Sequence, residues 1–206
     1  MITLIDYKAG NLTSVRKAFT HLGQESVITD DPEVVRNAKV LVLPGVGHFC
    51  TTERLAASGV RDAVLDAISR GTPFLGICVG MQWQYAGSTE APETKGLGLF
   101  EGSCERFQTK LKVPHVGWNQ IQRTVEGQNS RLLEGVPDES FVYFTHSYRA
   151  PVVAGVCAVT VYDEIFASCV ERDNVFGVQF HPEKSGDTGL RILKNFCNYA
   201  AERSAR

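Results

Sequence analysis

The stretch Pro73-Phe74-Leu75-Gly76-Ile77-Cys78-Val79-Gly80-Met81-Gln82 decides the fold of this chain. It is typical of a short buried strand, a tight turn and the start of a helix. Most cysteines are small core residues, and that is the alternative for Cys78. Glycines two residues before and two residues after it would weaken an ordinary core strand, so they indicate a sharp turn that exposes the thiol. The following helix start favours a thiolate, and Cys78 is therefore a candidate nucleophile.

On both sides of residues 73–82, short apolar runs alternate with stretches of helical periodicity. In the first half, strands are predicted at residues 2–5, 26–28, 39–43 and 73–77, with helices from a cap at Asn11 to residue 22 and over 60–70. In the second half, closely spaced strands are predicted at 141–150, 156–162, 166–170 and 175–180, before an amphipathic helix over 189–201. We therefore expect one α/β domain over residues 1–206. Its mixed, mainly parallel sheet should be flanked by helices, with antiparallel additions in the C-terminal half.

Composition excludes several classes of function. The net charge is −2 and lysines and arginines form no stripe, which argues against nucleic acid as a ligand. No apolar run approaches the ~20 residues that cross a bilayer, and residues 1–6 resemble a strand rather than a signal peptide, so we expect a cytoplasmic protein without a membrane partner. The six cysteines lack metal-ligand or disulfide spacing, and the sequence has no Walker-type or GxGxxG loop. We expect neither metal nor cofactor.

A cysteine nucleophile needs a base, and His181 has the best setting for that role. It follows an apolar run and precedes Pro182, which places it at the carboxyl end of a predicted strand, where open α/β sheets carry their sites. Glu183 could orient the imidazole ring and stabilise its charged form. A surface or helix-capping histidine is the alternative. The other four histidines, at weaker positions, are His21, His48, His115 and His146.

A second glycine-containing loop, Leu43-Pro44-Gly45-Val46-Gly47, leaves another predicted parallel strand at the same sheet edge. Such a loop can be an ordinary strand-to-helix turn. It can also present backbone N–H groups to the oxyanion that forms when a thiolate attacks a carbonyl.

Together, residues 76–82, residues 44–47 and the segment Phe180-His181-Pro182-Glu183-Lys184 resemble the class I glutamine amidotransferase family, over nearly the whole chain. The resemblance implies a flavodoxin-like fold and release of ammonia from glutamine through a cysteine thioester. Cys78 would be the nucleophile, His181 the base and then the acid, and Glu183 the orienting residue. It also implies six substrate-binding residues, which are Gly45, Gly47, Val79, Gln82, Ser147 and Tyr148.

Four further motifs, at residues 5–12, 44–49, 113–119 and 143–148, resemble family members that pass ammonia to a separate cyclase subunit in a heterodimer. Residues implied at the partner interface and ammonia passage are Asn11, Pro114, Trp118, Tyr143 and Lys184. Core packing is the alternative for Trp118. Lys8 stands where family members often have a small residue, and Val79 where leucine is common. The resemblance implies an enzyme that is nearly inactive without its partner. A peptide flip at Gly45 and Gly47, which would turn a backbone N–H toward the oxyanion, is a physical route to activation.

Two other hypotheses compete with this one. The first is a glutaminase subunit that serves a different synthase, such as one making pyridoxal phosphate or anthranilate, against which the segment 114–119 argues. The second is a non-catalytic thiol sensor on the same fold, in which Cys78 is reversibly oxidised. A sensor would need neither the His181 and Glu183 pair nor Gln82.

Overall fold

The structure, a computed structural model, describes residues 1–204 of the chain. Its helices are α1 (Leu12–His21), α2 (Pro32–Arg36), α3 (Glu53–Ala57), α4 (Val60–Ser69), α5 (Val79–Gln82) and α6 (Gly186–Ser204). The strands of the first half are β1 (Ile2–Ile5), β2 (Ser26–Thr29), β3 (Leu41–Gly45), β4 (Phe74–Cys78) and β5 (Gly87–Ser88). Those of the second half are β6 (Ser103–Arg106), β7 (His115–Gln120), β8 (Gln122–Arg123), β9 (Phe141–His146), β10 (Tyr148–Arg149), β11 (Val156–Tyr162), β12 (Glu164–Arg172) and β13 (Val175–Val178).

A large mixed sheet forms the centre of the molecule. Its order is β2-β1-β3-β4-β13-β12-β11-β8, in which the first five strands are parallel and the last three are added antiparallel. Strands β1, β3, β4 and β13 are buried along their whole length, as expected for parallel strands covered on both faces. The predicted fold class, a mainly parallel sheet with antiparallel additions in the C-terminal half, is confirmed.

The strand order also determines where a site can form. The chain leaves β1 toward β2 on one side and leaves β3 toward β4 on the other, so the connections diverge between β1 and β3. Right-handed crossovers then place α1 on one face and α2 and α4 on the opposite face, where α2 and α4 pack together. Ligand sites of open α/β sheets lie at the carboxyl ends of the strands beside such a divergence. The segments after β1, β3, β4 and β13 all emerge at this edge.

Several local predictions need correction. The predicted strand over 141–150 is two strands, since β9 pairs with β7 while β10 pairs with β6, and Ser147 separates them. Asn11 occupies the N-cap position of α1, but its side chain makes no capping hydrogen bond. In contrast, the Asp31 side chain caps α2 by accepting a hydrogen bond from the Glu33 N–H at 2.8 Å, and this cap was not predicted.

Candidate active site

Cys78 sits on a strained turn between β4 and α5. Its φ of 55° and ψ of −110° lie where residues with a side chain rarely occur, so the surrounding backbone must hold it there. The two flanking glycines make the turn possible. A Cβ on Gly76 would lie 2.3 Å from the Gly80 carbonyl oxygen, and one on Gly80 would lie 2.0 Å from that of Leu43. The spacing that predicted a sharp turn thus reflects backbone packed directly on backbone.

His181 and Glu183 form a buried pair next to the turn. The Nδ1–H of His181 donates to Glu183 Oε1 at 2.9 Å, and their side chains are 1% and 0% exposed. The donation to a carboxylate fixes the tautomer, so Nε2 is the ring atom available to exchange a proton. Burial lowers the pKa of His181, but hydrogen bonding and charge from Cys78 and Glu183 outweigh it and raise the pKa to about 10.

Hydrogen bonds to the backbone of His181 hold this residue in place. The His181 N–H donates to the Tyr143 carbonyl of β9 at 2.9 Å, and Ser185 Oγ donates to the His181 carbonyl at 2.7 Å. Ser185 Oγ in turn accepts from the Tyr143 N–H. Nε2 of His181 makes no well-aligned hydrogen bond within the described residues, although Cys78 is close enough to raise the pKa of the ring. Loose nucleophile-to-base geometry is common in sites without substrate.

The thiol has two further polar neighbours. Gln179 Nε2 donates to Cys78 Sγ at 3.6 Å, and Cys78 Sγ lies 4.0 Å from the Thr145 carbonyl oxygen. Gln179 was not predicted, yet it is the polar member of the apolar run 175–180, and that contrast was a usable signal.

A cavity of about 240 Å³ opens above the thiol. Five of the six predicted substrate-binding residues line it, and these are Gly47, Val79, Gln82, Ser147 and Tyr148. The lining also includes Cys78, Pro114 and four residues that were not predicted, Val46, Glu90, Thr145 and His146. Gly45 is not among the residues that line the cavity, and a Cβ at that position would lie 2.4 Å from the Tyr7 hydroxyl. The cavity mixes backbone, amide and hydroxyl groups with one carboxylate, as a site for a small polar ligand does.

Glu90 is the cavity residue that could least be predicted from the sequence. Its carboxylate accepts a hydrogen bond from the Phe49 N–H at 2.8 Å, across 41 residues of sequence. That contact ties the segment after β5 to the segment after the 44–47 loop. The sequence around Glu90 does not predict that this residue lines the cavity, because its position depends wholly on this long-range packing.

The glycine loop after β3 lies beside the nucleophile. In the parallel register of β3 and β4, Gly45 is the partner of Cys78, and Val46 and Gly47 continue into the cavity wall. Gly47 has a φ of 100°, a conformation that side chains disfavour, and no neighbouring atom would meet a Cβ there. The loop is thus placed where its N–H groups could reach a carbonyl attacked by the thiol.

Of the predicted partner-facing residues, Trp118, Tyr143 and Lys184 are grouped on the outer face of the β7 and β9 sheet. The rings of Trp118 and Tyr143 are 6.1 Å apart, and Lys184 Nζ lies 5.8 Å from the centre of the Tyr143 ring. Trp118 is 54% exposed, which rules out core packing for it. Pro114 lies at the cavity wall, and Asn11 lies at the start of α1.

Within residues 1–204, no three cysteine, histidine or acidic side chains are grouped so that they could hold a metal ion. Among the same residues, no helix is both long enough and apolar enough to cross a membrane.

Comparison with known proteins gives a consistent picture. The sequence profile of the family "Glutamine amidotransferase class-I" matches residues 3–199. The "Imidazole glycerol phosphate synthase subunit HisH" of Thermococcus kodakarensis is 47% identical over 203 residues, covering 95% of this chain and 98% of that protein. The protein of the same name from Methanothermobacter thermautotrophicus is 45% identical, covering 95% and 97%. A solved structure titled "Crystal structure of glutamine amidotransferase" superposes with a TM-score of 0.77 at 20% identity, covering 98% of this chain and all of that one, which supports the fold.

Proposed function

We propose that this chain, which belongs to the class I glutamine amidotransferase family, is the glutaminase subunit of an imidazole glycerol phosphate synthase in histidine biosynthesis. The observation that carries the catalytic part is the strained Cys78 turn beside the buried His181 and Glu183 pair. The assignment to this synthase is supported by relatives of that name at 40–47% identity over nearly the whole chain.

The reaction follows from the roles of these side chains. The Cys78 thiolate attacks the side-chain amide carbon of glutamine, and the oxyanion forms near backbone N–H groups of the 45–47 loop and of Val79. The His181 imidazolium gives its Nε2 proton to the departing nitrogen, which leaves as ammonia. A glutamyl thioester remains on Cys78. Neutral His181 then takes a proton from water, the hydroxyl attacks the thioester carbon, and glutamate leaves as the thiolate reforms.

Glu183 supports both halves of this cycle from behind the ring. Its carboxylate accepts from Nδ1 and leaves Nε2 to exchange the proton. The raised pKa of His181 favours the imidazolium, which carries the proton that the departing nitrogen takes up in the first step.

The cavity suggests how glutamine is recognised. Glu90 is the carboxylate in its wall and would pair with the α-ammonium group of the substrate. Gln82, Ser147 and Tyr148 would hold the remaining polar groups. This assignment adds Glu90 to the residues expected from sequence.

We also propose that the partner is a cyclase subunit that docks on the outer face of the β7 and β9 sheet. An exposed tryptophan beside a tyrosine is typical of a protein interface, because these two residue types are enriched among the residues that contribute most to binding, and Lys184 lies against the tyrosine ring. Pro114 lines the cavity and directly precedes β7, so ammonia released at Cys78 would leave on the partner's side. Replacing Trp118 by alanine should weaken the complex by about tenfold or more, since buried aromatic anchors dominate such interfaces. Val125, which is 90% exposed, offers a matched control, Val125→Ala, with unchanged affinity.

The decisive experiment measures glutamate and ammonia formed from glutamine, with and without the cyclase subunit. Wild-type chain should turn over glutamine in the complex, and Cys78→Ala should not. Cys50→Ala is the matched control, because Cys50 is an exposed free cysteine and its loss should leave turnover intact. Retained turnover in Cys78→Ala would overturn the catalytic assignment, and full activity of the isolated chain would remove the need for partner activation.

A further inference from the structure

Two buried histidines that take no part in the proposed chemistry lie next to the cavity. His115 of β7 and His146 of β9 are directly paired across the two-stranded sheet, and His115 Nδ1 is 3.1 Å from His146 Nε2. They are 3% and 6% exposed. The His115 ring is stacked between Phe144 and Tyr162, at 4.9 Å and 4.0 Å between ring centres. Such an enclosed pair needs every hydrogen placed correctly.

The contacts of the pair allow one arrangement of hydrogens. His146 Nδ1 lies 2.8 Å from the Tyr148 carbonyl oxygen, which can only accept, so Nδ1 carries the hydrogen. His146 Nε2 is then an acceptor, and the hydrogen between the rings belongs to His115 Nδ1. His115 Nε2 accepts in turn from Asn119 Nδ2 at 3.4 Å, and the same amide donates to the Val161 carbonyl at 3.0 Å. Burial lowers the pKa of both rings, to about 4 for His115 and about 3 for His146, which keeps them neutral.

This directed series of hydrogen bonds ends at the cavity. The Tyr148 carbonyl also accepts from Gln82 Nε2 at 3.0 Å, and the second hydrogen of that amide goes to Gln179 Oε1 at 3.0 Å. With both amide hydrogens used, Oε1 is the atom that Gln82 has left for a ligand. Both ring nitrogens of His146 are likewise used inside the protein. His146 therefore lines the cavity without a nitrogen to offer the substrate.

We propose that His146 and His115 are positioning residues for glutamine binding, which rests on the proposed glutaminase function. The pair holds the Tyr148 carbonyl at a fixed place, that carbonyl fixes the amide orientation of Gln82, and Gln82 presents an acceptor to the substrate. His115 acts one step further away, by fixing the tautomer of His146. Because Asn119 and His115 belong to the strand that carries Trp118, this orientation also depends on β7 being in place.

The test compares two replacements of His146 in the complex with the cyclase subunit. His146→Leu removes the donor to Tyr148, whereas His146→Asn can place its amide Nδ2 where the ring Nδ1 was. His146→Leu should raise the KM for glutamine about tenfold and leave kcat within about threefold of wild type. A tenfold change is the size expected when the hydrogen bond to the Tyr148 carbonyl, which orients the Gln82 amide, is lost. His146→Asn should return KM to within about threefold of wild type. His115→Phe should raise KM by about threefold, a smaller effect.

Stability separates this role from simple packing. The His146 ring packs against the rings of Phe107, Phe144 and Phe166. Leucine suits these apolar neighbours better than asparagine does, so His146→Leu should unfold at a higher denaturant concentration than His146→Asn, although it should have the higher KM. Tyr162→Phe keeps the ring stacked on His115, removes only a hydroxyl bonded to the Lys112 carbonyl, and should leave KM unchanged. Equal KM values for the two His146 variants would overturn the proposal, and so would a lower KM for the more stable variant.

Nitrogen-15 NMR of the wild-type rings provides a measurement that no folding defect can obscure. His146 and His115 should both be neutral, with hydrogen on Nδ1 and a bare Nε2. A hydrogen on Nε2 of either ring would overturn the proposal. Absence of glutamine turnover in the wild-type complex would instead refute the proposed function, so the two failures are distinguishable.

Discussion

Gly80→Ala should distort the turn that carries Cys78 more than the size of one added methyl group suggests. The added Cβ would lie 2.0 Å from the Leu43 carbonyl oxygen, while such contacts essentially never fall below 3.0 Å, so β3 and α5 must separate by about 1 Å. Overpacking of this kind costs about 1–3 kcal/mol of unfolding free energy. Because Cys78 lies two residues away, the same shift moves the thiol, and a misplacement of about 1 Å can cost about 100-fold in rate.

The assay pairs urea unfolding with glutamine turnover in the complex. Gly23→Ala is the matched control, because Gly23 has a φ of 73° and no atom within 4 Å of a Cβ, so alanine there brings backbone strain without a clash. We expect a stability loss of about 1 kcal/mol for the control with near wild-type turnover. If Gly80→Ala kept turnover within about threefold of wild type, the idea that close backbone packing holds the thiol in place would be wrong.

Three other changes test separate features of the molecule. Glu183→Gln should lower kcat by about 100-fold or more, since the charge that stabilises the His181 imidazolium is lost, and a near-normal kcat would contradict the triad. Tyr7→Phe should raise the unfolding free energy by about 1–2 kcal/mol in urea unfolding, because the Tyr7 hydroxyl is buried without a partner among the described residues; a loss of stability would show that it is bonded. The free energy of unfolding should also fall as the pH is lowered from 6.5 to 5. Burial lowers the pKa of His115 to about 4 and that of His146 to about 3, so the unfolded chain binds more protons than the folded chain in this range. The expected loss is about 2–4 kcal/mol, measured by urea unfolding at the two pH values. The raised pKa of His181 affects stability only above this window, where its contribution is lost as the pH rises toward 10, so a flat profile between pH 5 and 6.5 would contradict the buried neutral pair.

The parts of the site that could be predicted from sequence are those set by neighbouring residues. The Cys78 turn is visible because Gly76 and Gly80 relieve clashes within one short segment. His181 and Glu183 are visible because an apolar strand, a proline and a carboxylate follow one another directly. In each case the residues that make the geometry also lie together in the chain.

The parts that were missed depend on contacts between distant segments. Glu90 reaches the cavity through the Phe49 N–H, 41 residues away. Residues 141–150 were predicted as one strand because their apolar pattern is nearly continuous, but periodicity does not reveal that the hydrogen-bonding partner changes from β7 to β6 at Ser147. The roles of His115 and His146 are hidden for the same reason, since the pairing of their strands creates the contact.

The register that pairs Gly45 with Cys78 has a consequence for how this protein can be altered. Neighbouring strands lie about 4.8 Å apart, and that spacing is set by backbone hydrogen bonds rather than by side chains. The starting points of the nucleophile and of the glycine loop are therefore fixed relative to each other by a ladder that sequence changes elsewhere barely affect. Loops at the opposite edge of the sheet could be lengthened, shortened or exchanged while that distance is conserved, which makes them the natural places to attach tags, labels or new binding segments.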